Sequence, residues 1–182
     1  RELLELLVPQ ESIDVRPPRS TAELGFVGLT SWLDSAQRLQ RIAREKNDDV
    51  VSQLSPSDDS QLVLTADTVI VASEALGNHR VLGQPPSDDT WQDIVRGWFR
   101  ELYAGRSHIA VTAICLTGQR TGRRIERIVQ SQVWVREDVE TLLDWYLATD
   151  EPRGKAGGYA LQGLASVFVT RVEGSITNVI GL

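Results

Sequence analysis

Leu62-Val63-Leu64-Thr65-Ala66-Asp67-Thr68-Val69-Ile70-Val71 is the most apolar run of the chain. It is rich in β-branched residues, and its length suits a strand buried inside a sheet. Upstream, Trp32, Leu33, Ala36, Leu39, Ile42 and Ala43 recur at steps of three and four, which predicts a helix over 31–47. Its polar face carries Arg38, Arg41, Arg44, Glu45 and Lys46. The polar, Pro-containing stretch 52–60 reads as a surface loop. Further upstream, leucines at 3, 4, 6 and 7 suit the end of an amphipathic helix that Pro9 stops, and Arg16-Pro17-Pro18-Arg19 reads as extended.

Downstream, a turn-rich segment runs through Gly77-Asn78 to Val81-Leu82-Gly83-Gln84-Pro85-Pro86. Ser87 is a candidate cap for a helix reaching about residue 103, and Gly105 ends it. Stretches 109–116 and 125–135 read as two strands of a hairpin. Residues 137–147 place Val139, Leu142, Leu143 and Tyr146 on one helical face. A Gly-rich loop at 155–163, a strand at 166–172 and the start of an unfinished helix from Ser175 complete the order. Strands interspersed with helices predict an α/β fold, a mixed twisted sheet flanked by helices. No repeat or linker divides it, so residues 1–182 read as a single domain.

The chain has 182 residues, 41% hydrophobic and 24% charged, with a formal net charge of −6. That is enough apolar material for a core, and it excludes a broad basic surface for a nucleic-acid polymer. No apolar run is long enough to span a membrane, and no signal-peptide pattern is present. The single cysteine, Cys115, excludes an internal disulfide and a Cys-rich zinc site, so a reducing, cytoplasmic setting is expected. There is no methionine, and the sequence opens in mid-helix with Arg1-Glu2-Leu3-Leu4. The expectation is a domain trimmed at both ends.

Several residues are candidates for chemistry. Asp67 lies within an apolar strand, where an unpaired carboxylate is costly. It reads either as a metal ligand or general base at a strand end, or as a hydrogen-bonded structural acid. Thr68 beside it is a phosphate contact or a strand former. Among 19 Lys+Arg, only Lys46 and Lys155 are lysines; a compact ammonium on a flexible stem suits a phosphate oxygen. In Lys155-Ala156-Gly157-Gly158-Tyr159-Ala160-Leu161-Gln162-Gly163 the glycines are either an anion cradle or a plain turn. The order of a P-loop is absent. Gln162 can read a base edge or ribose, or cap the loop. Ser175 reads as a helix cap. His79 and His108 lack partners at metal or triad spacing, and the five tryptophans read as core or interface.

These pieces occur in a specific order: Arg1-Glu2-Leu3-Leu4, Ala43-Arg44-Glu45-Lys46, Ala66-Asp67-Thr68-Val69, Leu82-Gly83-Gln84-Pro85, Gly105-Arg106-Ser107-His108, Asp150-Glu151-Pro152, Lys155-Ala156-Gly157-Gly158-Tyr159, Gln162-Gly163, Glu173-Gly174-Ser175 and Asn178-Val179-Ile180-Gly181-Leu182. The chain so resembles the Maf family of septum-formation-associated nucleoside triphosphate pyrophosphatases along nearly its whole length. The resemblance implies two lobes around a cleft and hydrolysis of a nucleoside triphosphate, pyrimidine or modified, at the α–β phosphoanhydride. The products are the monophosphate and pyrophosphate. It also implies a divalent metal, Mg²⁺ or Mn²⁺, and a homodimer. By motif, Asp67 is the essential acid. Lys46, Lys155 and Gln162 are substrate-binding, with Thr68 beside the acid and Gln84 where the family commonly has lysine. Asp67, with Glu23 by a looser match, would hold the metal. The family's Ser-Pro-Arg-Arg phosphate-binding segment would fall just before Arg1. The alternative function is a non-catalytic nucleotide-binding regulator of cell division and septum formation. A generic phosphatase is a third reading.

Overall fold

A computed structural model describes residues 2–19, 25–29, 31–55, 61–74 and 78–181. The apolar run becomes strand β1, Leu62–Ser73, longer at its end than the sequence predicts. With β2 (His79–Leu82), β3 (Ser107–Gly118), β4 (Arg124–Val135) and β5 (Val169–Glu173) it forms a five-stranded sheet in the order β2-β1-β3-β4-β5. Strand β2 runs antiparallel to β1, with Ile70 opposite Leu82 and Ser73 opposite His79. Strand β5 runs antiparallel to β4, with an irregularity between Trp134 and Val135. The helices are α1 (Glu2–Glu5), α2 (Trp32–Gln53), α3 (Trp91–Gly97), α4 (Glu140–Leu147) and α5 (Ile176–Ile180). The fold is α/β, a sheet flanked by helices. No helix among the described residues is long and apolar enough to cross a membrane.

The chain divides into two compact units. The first takes residues up to Asp67 together with 112–128; the second takes 68–111 and 129–181. The first is organised by α2. Ser31 starts that helix by accepting the Asp34 N–H with its side chain. One stripe, Ala36, Leu39, Ile42, Ala43, Asn47 and Val50, is buried. Leu39 and Ile42, at 0% and 3% exposure, each contribute about 1.5–3 kcal/mol by leaving water. The helix runs to Gln53, past the predicted end at 47. The cause is Asn47, whose side-chain amide donates to the carbonyls of Val63 (3.0 Å) and Cys115 (3.1 Å) and accepts from the Thr117 hydroxyl. Three satisfied bonds on a buried amide outweigh the weak helix propensity of Asn47-Asp48-Asp49.

The second unit holds the larger core, in which Ile70, Val95, Phe99, Tyr103, Tyr146 and Phe168 are among the buried side chains. Helix α3 continues in the wider π form over Trp98–Tyr103, with the Ala104 N–H donating to the Phe99 carbonyl at 2.9 Å. Phe99 packs edge-on to Tyr103 (5.2 Å) and Phe168 (5.0 Å).

Four sequence expectations are corrected in this unit. Strand β2 was not foreseen, because only four residues carry it. Ser87 is not the cap, since the Asp88 carboxylate accepts the Thr90 N–H and the helix begins at Trp91. Residues Leu164–Phe168 form a 3₁₀ turn that buries Ala165 and Phe168, so the last strand starts only at Val169. The final helix is short and closed. Ser175 caps it as expected, accepting the Asn178 N–H, and Gly181 ends it at φ 86°.

His108 is a core residue, 2% exposed. Its Nε2 meets the Tyr159 hydroxyl at 2.7 Å, and its ring lies 4.5 Å from that of Tyr103. Burial lowers its pKa to about 3, while an unfolded histidine titrates near 6.5. The unfolded chain therefore binds the extra proton throughout that window, and stability rises with pH across it. Stability is expected to fall by about 2 kcal/mol from pH 7.5 to pH 5, a loss set by the unfolded pKa. Urea titrations of wild type and His108→Gln at both pH values check this. An equal drop in both proteins would remove His108 as its source.

Candidate functional site

In the first unit, the Lys46 ammonium donates to Asp67 Oδ1 at 2.7 Å. Lys46 stands on α2 and Asp67 in the middle of β1, not at the strand end that the sequence suggested. Neighbouring bonds set the register of helix against strand: the Thr65 hydroxyl donates to the Ala43 carbonyl at 2.7 Å, beside the Asn47 bonds. Lys46 and Asp67 are 21% and 18% exposed. An ion pair this sheltered is held more firmly than one at the open surface, and losing either partner leaves a partly desolvated charge.

The other cations of α2 point elsewhere. Arg44 forks onto Glu126 with two 2.7 Å bonds, Arg41 meets Glu45 at 2.7 Å, and Arg38 donates to the Gly25 carbonyl at 2.7 Å, while Asp48 of the same helix is reached by the Arg124 guanidinium of β4. The hydrogen bond from Arg44 holds the Glu126 carboxyl below the usual range. Lys46 is therefore the basic residue of this helix that faces the strand carboxylate. Asp67 is an oxygen donor of the kind that hard divalent cations take. No group of three or more His, Cys, Asp or Glu side chains suited to a metal occurs among the described residues. Glu23, the other expected ligand, lies outside them.

Thr68, Gln84, Lys155 and Gln162 belong to the second unit. Lys155, Gln84 and Gln162 are exposed and Thr68 is half-buried. The Lys155 loop is tied to the Gln84 segment by the Gly157 N–H, which donates to the Gly83 carbonyl at 2.9 Å. The Gly158 N–H donates to the Lys155 carbonyl, also at 2.9 Å. Both glycine amides are thus spent inside the protein, which overturns the anion-cradle reading of the glycines and supports the turn. The glycines serve packing. At φ 68°, a Cβ on Gly157 would lie 2.5 Å from Ile70 Cγ1 and 2.6 Å from the Tyr103 hydroxyl oxygen.

Two buried phenols lock the turn: Tyr103 donates to the Gly157 carbonyl at 2.9 Å, and Tyr146 to the Gly158 carbonyl at 3.0 Å. Sequence reasoning missed both as partners of the loop. The signal was present only as tyrosines inside apolar helices, whose hydroxyls need a partner when buried. His79 opens β2, and His108 lies in the core of the second unit against Tyr159.

A helix–strand scaffold that presents a sheltered lysine–aspartate pair, and a loop that carries a second lysine on a tyrosine-braced turn, define an α/β protein with its polar groups fixed in advance. The chain belongs to the Maf family: the family model for Maf-like protein matches residues 1–182. It is 36% identical over 146 residues to a dTTP/UTP pyrophosphatase of Syntrophus aciditrophicus, covering 80% of this chain and 64% of the relative. A dTTP/UTP pyrophosphatase of Chelativorans sp. is 38% identical over 79% of this chain and 64% of its own length. For one of Anaeromyxobacter dehalogenans the identity is 36%, over 78% and 65%. The chain thus spans just under two thirds of the length of these relatives.

Proposed function

We propose that the protein hydrolyses the α–β phosphoanhydride of a nucleoside triphosphate, releasing the monophosphate and pyrophosphate, with UTP and dTTP as the first substrates to test. The observation that carries this reading is the 2.7 Å Lys46–Asp67 pair. It puts an acid and a phosphate-type cation side by side at the two motif positions where the family has them. The relatives with matching sequence are dTTP/UTP pyrophosphatases, which supports the pyrimidine preference.

In this mechanism water adds its oxygen to the α-phosphorus, and the bond from the α-phosphorus to the α–β bridging oxygen breaks. Pyrophosphate leaves with the bridging oxygen. The Asp67 carboxylate orients the water and takes its proton, and the Lys46 ammonium neutralises charge that builds on the phosphate oxygens. Lys155 adds a second cation. Gln162 contacts the base or sugar, Thr68 a phosphate, and Gln84 contributes a neutral hydrogen-bonding group in place of a charge. A divalent metal, Mg²⁺ or Mn²⁺, would be held by Asp67 together with Glu23, and when bound it supplies charge neutralisation of the phosphates. The roles of Lys155, Gln84, Gln162, Thr68 and Glu23 rest on their motif positions.

The test is product analysis with UTP, dTTP and CTP. Pyrophosphate without orthophosphate is the expected result. Orthophosphate as the first product would mean a different hydrolase, and tight nucleotide binding with no turnover would favour a regulator of cell division.

A further inference from the structure

Gln162 is at the third corner of a tight turn: the Gly163 N–H donates to the Ala160 carbonyl at 3.1 Å, which places Leu161 and Gln162 at its two central positions. What fixes the exit of that turn is a side chain eleven residues upstream. Glu151 accepts the Leu164 N–H on Oε2 at 2.8 Å and the Ala165 N–H on Oε1 at 3.1 Å. The two amides open the 3₁₀ turn Leu164–Phe168, so the carboxylate satisfies donors that have no partner within the turn itself.

The fit is close. A Cβ on residue 163 would lie 2.4 Å from Glu151 Oε1, so glycine is what allows the chain to fold over the carboxylate. The approach to Glu151 is fixed as well. Asp150 takes a left-handed backbone at φ 57°, and the Glu151 N–H donates to the Thr149 hydroxyl at 3.3 Å. Burial, with Glu151 close by, pushes the Tyr146 phenol well above its usual range. The phenol stays a donor and keeps its bond to Gly158 in the same loop. The Glu151 carboxylate thus fixes the far side of the segment that carries Gln162, and Tyr146 fixes the near side through Gly158.

We propose that Glu151 is a positioning residue for Gln162, its two backbone hydrogen bonds setting the direction in which that glutamine side chain meets the nucleotide. The inference rests on the reading that Gln162 contacts the base or sugar. It concerns a carboxylate whose place in the Asp150-Glu151-Pro152 motif gave no sign of the role. It makes Glu151 a determinant of which base is preferred, without touching substrate.

The experiment compares wild type, Gln162→Ala, Glu151→Ala, Glu151→Gln and the Gln162→Ala/Glu151→Ala double variant. Calorimetry with the non-hydrolysable α,β-methylene analogues of UTP and CTP gives affinity and base preference independently of turnover. Amide hydrogen exchange at 163–165 reports the turn. Glu151→Ala is expected to weaken the preferred analogue about tenfold, narrow the ratio between the two analogues, and speed exchange at Leu164 and Ala165. Glu151→Gln, which keeps one acceptor oxygen and the shape, should recover part of each effect. Adding Glu151→Ala to Gln162→Ala should cost little more in affinity.

If Gln162→Ala shifts the ratio and both Glu151 variants leave it at the wild-type value, Glu151 only braces the fold and the inference is overturned. If Gln162→Ala itself leaves affinity and ratio unchanged, the reading of Gln162 is overturned, and the positioning role with it.

Discussion

Asp67→Asn is expected to lower pyrophosphate release from UTP or dTTP by at least about 100-fold while leaving the protein folded. The estimate follows from the role: loss of a positioned base costs roughly 10²–10⁴ in rate. Asparagine has the shape of the carboxylate and can still accept from the Lys46 ammonium, now at 2.7 Å from Oδ1, but it can neither take a proton nor balance the ammonium charge. Because the pair is sheltered, at 21% and 18% exposure, loss of the charge partner costs about 1–2 kcal/mol of stability. That is a fall of only about 3–8 °C in Tm for a chain of this size. Lys46→Ala, which removes charge neutralisation in the transition state, should reduce rate by about 100-fold as well. Turnover within threefold of wild type in Asp67→Asn would remove Asp67 from the chemistry. Calorimetry with Mn²⁺ separates its two roles: weakened binding in Asp67→Asn marks a ligand, unchanged binding a base alone.

The features legible in the sequence were those set by local pattern. The β1 run could be read because its β-branched residues are contiguous, and the body of α2 because Ala36, Leu39, Ile42 and Ala43 keep a helical step. The last turn and a half of α2 could not, because it depends on Asn47 reaching carbonyls 16 and 68 residues away. Strand β2 was hidden for a related reason: four residues flanked by turn formers become a strand only by pairing with β1. The site divides in the same way. Composition picked out Lys46 and Lys155 as the two lysines, and burial arguments picked out Asp67. That Lys46 and Asp67 meet, 21 residues apart in sequence, is a tertiary fact for which spacing carries no signal; only the resemblance to a family joined them. The loop glycines were open to two readings, an anion cradle or a plain turn. Glycine beside lysine suggests an anion cradle on chemistry alone, yet the amides of Gly157 and Gly158 already donate to carbonyls of this chain.

The turn reading makes Gly157→Ala a strongly damaging small substitution in the second unit. An alanine there would hold φ near 68° against its preference, a cost of about 1 kcal/mol. Its methyl would stand 2.5 Å from Ile70 Cγ1 and 2.6 Å from the Tyr103 hydroxyl oxygen, inside contact distance of two side chains with 3% and 0% exposure. Neither side chain has room to withdraw, so the loop must move, at about 1–3 kcal/mol for overpacking. Movement breaks the buried bond from Tyr103 to the Gly157 carbonyl, at roughly another 1–3 kcal/mol. Together these give a loss of about 3–7 kcal/mol and a fall in Tm of about 6–28 °C. Gly154→Ala is the matched control. Gly154 has nearly the same backbone, φ 70°, but nothing within 4 Å of its added Cβ, so only the strain of about 1 kcal/mol should appear. Equal losses in the two variants would mean that backbone strain, not crowding against Ile70 and Tyr103, fixes glycine at 157. A much larger loss at 157 would show that the Lys155 loop is shaped by the core beneath it.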